Sequence, residues 1–138
     1  MPKLHFGVTL VPYTYGSSGR TTHQVAEILE GKYTIMETFA RDNEKEIRSL
    51  LAAQAGRYAK MAVKGREPNL QPALDQIKRM FRSYILSRKL DGRVKGVPTK
   101  ASLLGINHRL KHPYAKRAPR PSFFDTGLYV NAFKAWVE

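Results

Sequence analysis

Residues 128–137 read LYVNAFKAWV, and whether they form a strand or a helix decides if this chain is mixed or wholly helical. As a strand, Leu128, Val130, Ala132 and Trp136 face one side and Tyr129, Phe133 and Val137 the other. As a helix, Tyr129, Phe133, Trp136 and Val137 share a stripe. The aromatic and β-branched content favours the strand. A lone strand needs a partner, and the opposite end of the chain offers one. KLHFGVTLV, residues 3–11, sets Leu4, Phe6, Val8 and Leu10 against His5, Gly7 and Thr9, the period-2 pattern of a half-buried strand. The expectation is a small antiparallel sheet built from both ends of the polypeptide.

Between these ends the pattern turns helical. Thr21 followed by Gln24 fits a capping box, and Val25, Ile28, Leu29, Met36 and Phe39 recur at helical spacing across a possible break at Gly31. A second helix starts near Asp42 or Asn43 and carries Ile47, Leu50, Leu51, Ala55, Tyr58 and Ala62 on one stripe. In the third, Pro72 suits a first turn. There Ala73, Leu74, Ile77, Met80, Phe81, Tyr84 and Ile85 form the clearest apolar face, with Lys78, Arg79, Arg82 and Arg88 opposite. A short strand is expected at Arg93 to Val97, then a brief helix capped by Thr99 and stopped by Gly105. Residues 106–122 are Pro-rich and basic, an arm or loop. The fold class is therefore α+β: two or three long helices, a small terminal sheet and an extended basic arm.

At 138 residues one domain spanning 1–138 is expected, with enough chain to bury roughly two thirds of its unfolded surface. Without cysteine, disulfides and thiolate metal sites are excluded. His5, His23, His108 and His112 lack metal-ligand grouping; His108 and His112 lie four apart in a proline-broken basic run and read as a solvated pair. Neither metal nor cofactor is expected. MPKLHFGVTLVPY lacks the apolar core of a signal peptide, and no apolar run approaches the ~20 residues of a spanning helix. The expectation is a protein made and kept in the cytoplasm, or released by lysis, with no membrane partner.

The net charge of +13 is concentrated. Lys78 to Arg120 holds thirteen Lys or Arg against one acid, Asp91, whereas residues 1–77 carry ten bases and eight acids. Such a block contacts nucleic-acid phosphates or an acidic protein surface, and its self-repulsion argues against an idle solvated face.

Enzyme signatures are missing. No nucleophile elbow, P-loop or dinucleotide turn occurs, and GSSGR (16–20) lacks the lysine of a phosphate loop. Asp125-Thr126-Gly127 reads as a turn, because an aspartic-protease dyad needs two carboxylates sharing a proton and the chain has one such triplet.

RPSFFDTGLYVNAFKAWV (120–137) after a helical body and a basic Pro-rich segment resembles the neck and tail-completion proteins of tailed bacteriophages. Pro121, Phe124, Asp125, Thr126, Gly127, Leu128 and Tyr129 stand at the matching places of their Pro-x(n)-[VIF]-[DR]-T-G-x-[LY] segment. HQVAEILEGKYTIMETFARDNEKEI (23–47) is similar to their helical opening. The chain is shorter after Tyr129 than the proteins it resembles, which leaves the tail terminator, another ring protein at that junction, as an alternative. The resemblance implies a non-catalytic virion subunit, assembled in the host cytoplasm into a homo-oligomeric ring against portal, connector or tail proteins, with the channel DNA as a further contact. A basic, ribosomal-protein-like nucleic-acid-binding module is the other alternative, read from the charge block. Head-to-tail rings need two complementary patches. The candidates are Phe123, Phe124, Asp125, Thr126, Gly127, Tyr129, Phe133 and Trp136 for one, and Arg109, Lys111, Lys116, Arg117 and Arg120 on the arm for the other.

Overall fold

The computed structural model describes residues 3–9, 21–66, 69–106, 118–124 and 127–138. Strand β1 (Leu4–Val8) pairs antiparallel with β2 (Phe133–Val137), placing Leu4 opposite Val137 and Val8 opposite Phe133. Lys3 and Glu138 exchange both main-chain bonds, at 2.7 and 3.0 Å. The alternation of the first strand decides its inward face: Phe6 meets Phe39 and Phe133 at 5.9 and 5.6 Å between ring centroids.

Helix α1 (Thr22–Tyr33) begins at the expected capping box, with Thr21 and Gln24 bonding reciprocally. The break falls at Thr34, not Gly31: Thr34 is left-handed at φ 49° and α2 (Ile35–Asp42) starts immediately after. The cause is Glu30, whose carboxylate accepts from the amides of Met36 (2.7 Å) and Glu37 (3.0 Å). Those are orphan donors of a helix start, where negative charge is also favoured. Helix α3 (Glu44–Val63) and helix α4 (Gln71–Leu86) follow. The apolar stripe of α4 is buried as its spacing dictates, with Ile77 and Phe81 fully enclosed. The stripe expected on α3 ends early, because Ile47 and Gln54 are its buried residues and Tyr58 is 43% exposed.

Residues 93–97 form turns in place of the expected strand, held by bonds such as Gly92 N–H to the Val97 carbonyl at 2.9 Å. Helix α5 (Lys100–Leu104) has Thr99 as its cap and left-handed Gly105 as its stop. The last ten residues before Glu138 divide between both readings: helix α6 (Leu128–Ala132) runs straight into β2. Phe133, Phe81 and Phe39 form the centre of one core, Phe133 stacked on Phe81 at 4.0 Å and Phe39 edge-on to Phe81 at 5.2 Å. Among the described residues no helix is long and apolar enough to cross a membrane.

Candidate functional site

The aromatic C-terminal stretch is largely the protein's own core. Tyr129 and Phe133 are buried, so neither ring offers surface to a neighbour, a correction to their reading as partner anchors. Their burial follows from helix α6, which turns Tyr129 onto Phe81 at 6.1 Å, and from β2, which lies across α4. Gly127 is buried in a left-handed turn (φ 80°), and a Cβ there would meet the Asn131 amide at 3.2 Å and the Phe124 ring at 3.4 Å.

Three rings of the set stay half-buried. Phe123 lies against Tyr33 at 5.0 Å. Phe124 lies beneath the Arg82 guanidinium, 5.5 Å from ring centroid to charge. Trp136 points to the outer face of the sheet, stacked on His5 at 5.5 Å, with the Lys134 ammonium 4.9 Å from its ring centroid. Asp125 and Thr126 lie outside the described residues, as do the arm residues Arg109, Lys111, Lys116 and Arg117.

Arg120, read as part of the arm, is used inside the protomer. Its guanidinium donates to the carbonyls of Ala101 (3.1 Å) and Ile106 (2.8 Å), where a cation suits the carbonyl-rich end of a helix. Next to it Ser122 bonds both the Thr99 amide and the Ser102 hydroxyl at 3.0 Å. These bonds fasten the segment that leaves the arm to α5.

Three described basic residues lie close together on α4. Lys78, Arg79 and Arg82 fall on one outer stripe at helical spacing and, with Asp75, Val130 and Asn131, line a cleft of about 220 Å³ between α4 and α6. Arg82 is held there by two contacts, a hydrogen bond to Asn131 and the face of Phe124. The sequence places the three bases on the polar side of α4, but the meeting of Arg82 with Asn131, 49 positions away, has no local signal.

A second polar cluster ties α2 to α4. The Tyr84 hydroxyl donates to Asp42 at 2.6 Å, and Arg93 donates to the other oxygen of the same carboxylate at 2.7 Å. Burial, then the bond to Asp42 and its charge, push the Tyr84 phenol well above its ordinary 10.0, with Arg93 opposing. This cluster is a tether: its carboxylate is already engaged by a phenol and a guanidinium. Among the described residues no group of three or more His, Asp or Glu is placed to hold a metal ion.

No family model, curated protein or solved structure matches this chain.

Proposed function

We propose that this chain is a structural subunit of a tailed-bacteriophage virion, forming a ring at the head–tail junction through contacts with its own copies and with portal, connector or tail proteins. The sequence resemblance motivates that reading. The observation that carries it is the far half of α3. From Ala55 to Val63 every residue but half-buried Met61 is exposed, Val63 at 89%. An isolated helical segment of that length is marginal in water, so a neighbouring subunit is the natural source of its missing contacts.

A second surface of a different kind supports a head-to-tail arrangement. Among the described residues the sheet has two strands, and the bond pattern set by Lys3 and Glu138 turns the main-chain groups of Ala135 and Val137 away from β1. Among the described residues no segment pairs with that edge, which suits strand addition from another chain. A projecting helix and an open edge are unlike patches, as a heterologous ring requires.

The test is particle incorporation. Val63→Glu places a charge on a side chain that is 89% exposed, so the fold should persist by circular dichroism while assembly fails. We expect wild-type chain to be monomeric or weakly associated alone, to form rings by mass photometry once portal or tail proteins are added, and V63E to remain monomeric. Full entry of V63E into infectious particles would overturn the reading.

A further inference from the structure

We propose that the cleft between α4 and α6 binds phosphate groups of a nucleic-acid backbone, with Lys78, Arg79 and Arg82 as the contacting residues. This goes beyond ring formation and stands or falls separately from it.

The site is built in a way that a solvated basic face is not. Arg82 would ordinarily sample many rotamers, but Asn131 accepts from one terminal nitrogen and Phe124 lies under the guanidinium plane. Such a pre-oriented fork loses less freedom on capturing an anion, and its remaining N–H donors are available for phosphate oxygens. Lys78 precedes Arg82 by four residues and therefore stands one turn away on the same stripe. Arg79 occupies the adjoining position, its guanidinium donating to Gln76 at 3.1 and 2.7 Å. Among the described residues the one acid of the cleft is Asp75, which accepts from Gln71 at 2.7 Å at its edge.

The chemistry of the walls selects the class of ligand. Three of the six lining side chains are cationic and one is acidic, while their alkyl stems and Val130 make up most of the exposed wall, so net positive charge is what the cleft offers a ligand. Nucleic-acid interfaces are polar, hydrated and strongly positive. Arg79 also borders a neighbouring cleft together with Lys89, which carries positive charge past the site, so successive phosphates of one backbone are served better than a single small anion.

The experiment uses the full chain and a fluorescein-labelled duplex of random sequence, with anisotropy read across a salt series. Wild type should bind at low salt with affinity falling log-linearly as salt rises. Replacing Lys78 and Arg79 by Gln should reduce that slope by about two, and Arg82→Gln should weaken binding roughly tenfold. Asp75→Asn should tighten binding, a gain that no folding defect produces. The charge-matched control removes Lys60 on α3 and Lys64 just after it and should leave the slope nearly unchanged. A parallel phosphorus NMR titration with inorganic phosphate separates a free-anion site, seen as saturable millimolar binding with no affinity for duplex, from a backbone site. Equal losses in the cleft and control variants, no duplex binding at low salt, or the free-anion result would each overturn the proposal.

Discussion

Two segments of similar length, 55–63 and 128–137, exchange the places that their composition suggests. The first, AGRYAKMAV, continues a helical stripe yet projects from the body with Tyr58 and Val63 exposed. The second, rich in aromatics at the end of the chain, has Tyr129, Val130, Ala132 and Phe133 buried. Hydrophobicity therefore does not by itself say which surface is offered to a partner; what decides is whether another element lies opposite. Helix α4 and β1 flank the second segment, whereas the last buried residue of α3 is Gln54, which donates to the Asn69 carbonyl at 2.8 Å.

The contrast is broken most directly at Phe133. Its ring is fully enclosed, stacked on Phe81 at 4.0 Å and edge-on to Phe39 at 6.1 Å. Phe133→Ala should cost about 3–5 kcal/mol by urea unfolding. A loss under about 1 kcal/mol would mean that β2 leaves the core readily and that the aromatic end is free for a partner after all.

The tether between α2 and α4 comes next. Asp42→Asn removes the charge that accepts from both Tyr84 and Arg93, and should destabilise by about 2 kcal/mol, the scale of hydrogen bonds to a charged group. The same cluster gives the protein a pH dependence with a definite sign. The folded-state phenol ionises above its ordinary 10.0, so the unfolded chain gives up its proton first. The contribution of Tyr84 is complete below pH 10 and declines as pH rises beyond it. Urea midpoints measured between pH 8 and 11.5 should fall at the alkaline end, and Tyr84→Phe should flatten that fall. An unchanged profile in the variant would assign the decline to other groups.

At the outer face of the sheet the effect shrinks. A Cβ on Gly7 would lie 3.0 Å from Cη2 and Cζ3 of Trp136, a ring that is half-buried and able to tilt. Gly7→Ala should cost about 1 kcal/mol and shift the emission of Trp136, the one tryptophan in the chain. Unaltered emission would place the indole elsewhere in solution.

Elements governed by local rules were legible in the sequence. The alternation of Leu4, Phe6 and Val8, the Thr21–Gln24 capping box, the apolar face of α4 and the Thr99 and Gly105 boundaries of α5 each follow from side chains within a few positions. What escaped depends on contacts from a distance or on competition between local choices. Gly31 is the weaker helix former, but Glu30 caps the next helix and moves the break to Thr34. LYVNAFKAWV satisfies both periods, and tertiary contacts assign helix to its first half and strand to its second. Arg93 to Val97 looks extended in composition, yet Gly92 and Gly96 at φ 77° and 84° close it into turns. The basic cleft needs Asn131 and Phe124 brought to Arg82, which no spacing within α4 announces.

The smallest expected effect is at the other pole of the comparison. Tyr58→Ala and Val63→Ala remove side chains that are 43% and 89% exposed, so each should change the stability of the isolated protomer by no more than about 0.5 kcal/mol. Under the proposed ring assembly their burden falls on association instead. In hydrogen exchange of the free chain, amides of residues 55–63 should exchange through local fraying, while those of α3 before Gln54 are protected by Ile47 and the contact with Asn69. On ring assembly in the presence of portal or tail proteins the fraying half should become protected in wild type and stay fast in a variant carrying both alanines. Equal protection of both halves in the monomer would show that α3 needs no neighbour, and the difference between the two segments would then be one of composition alone.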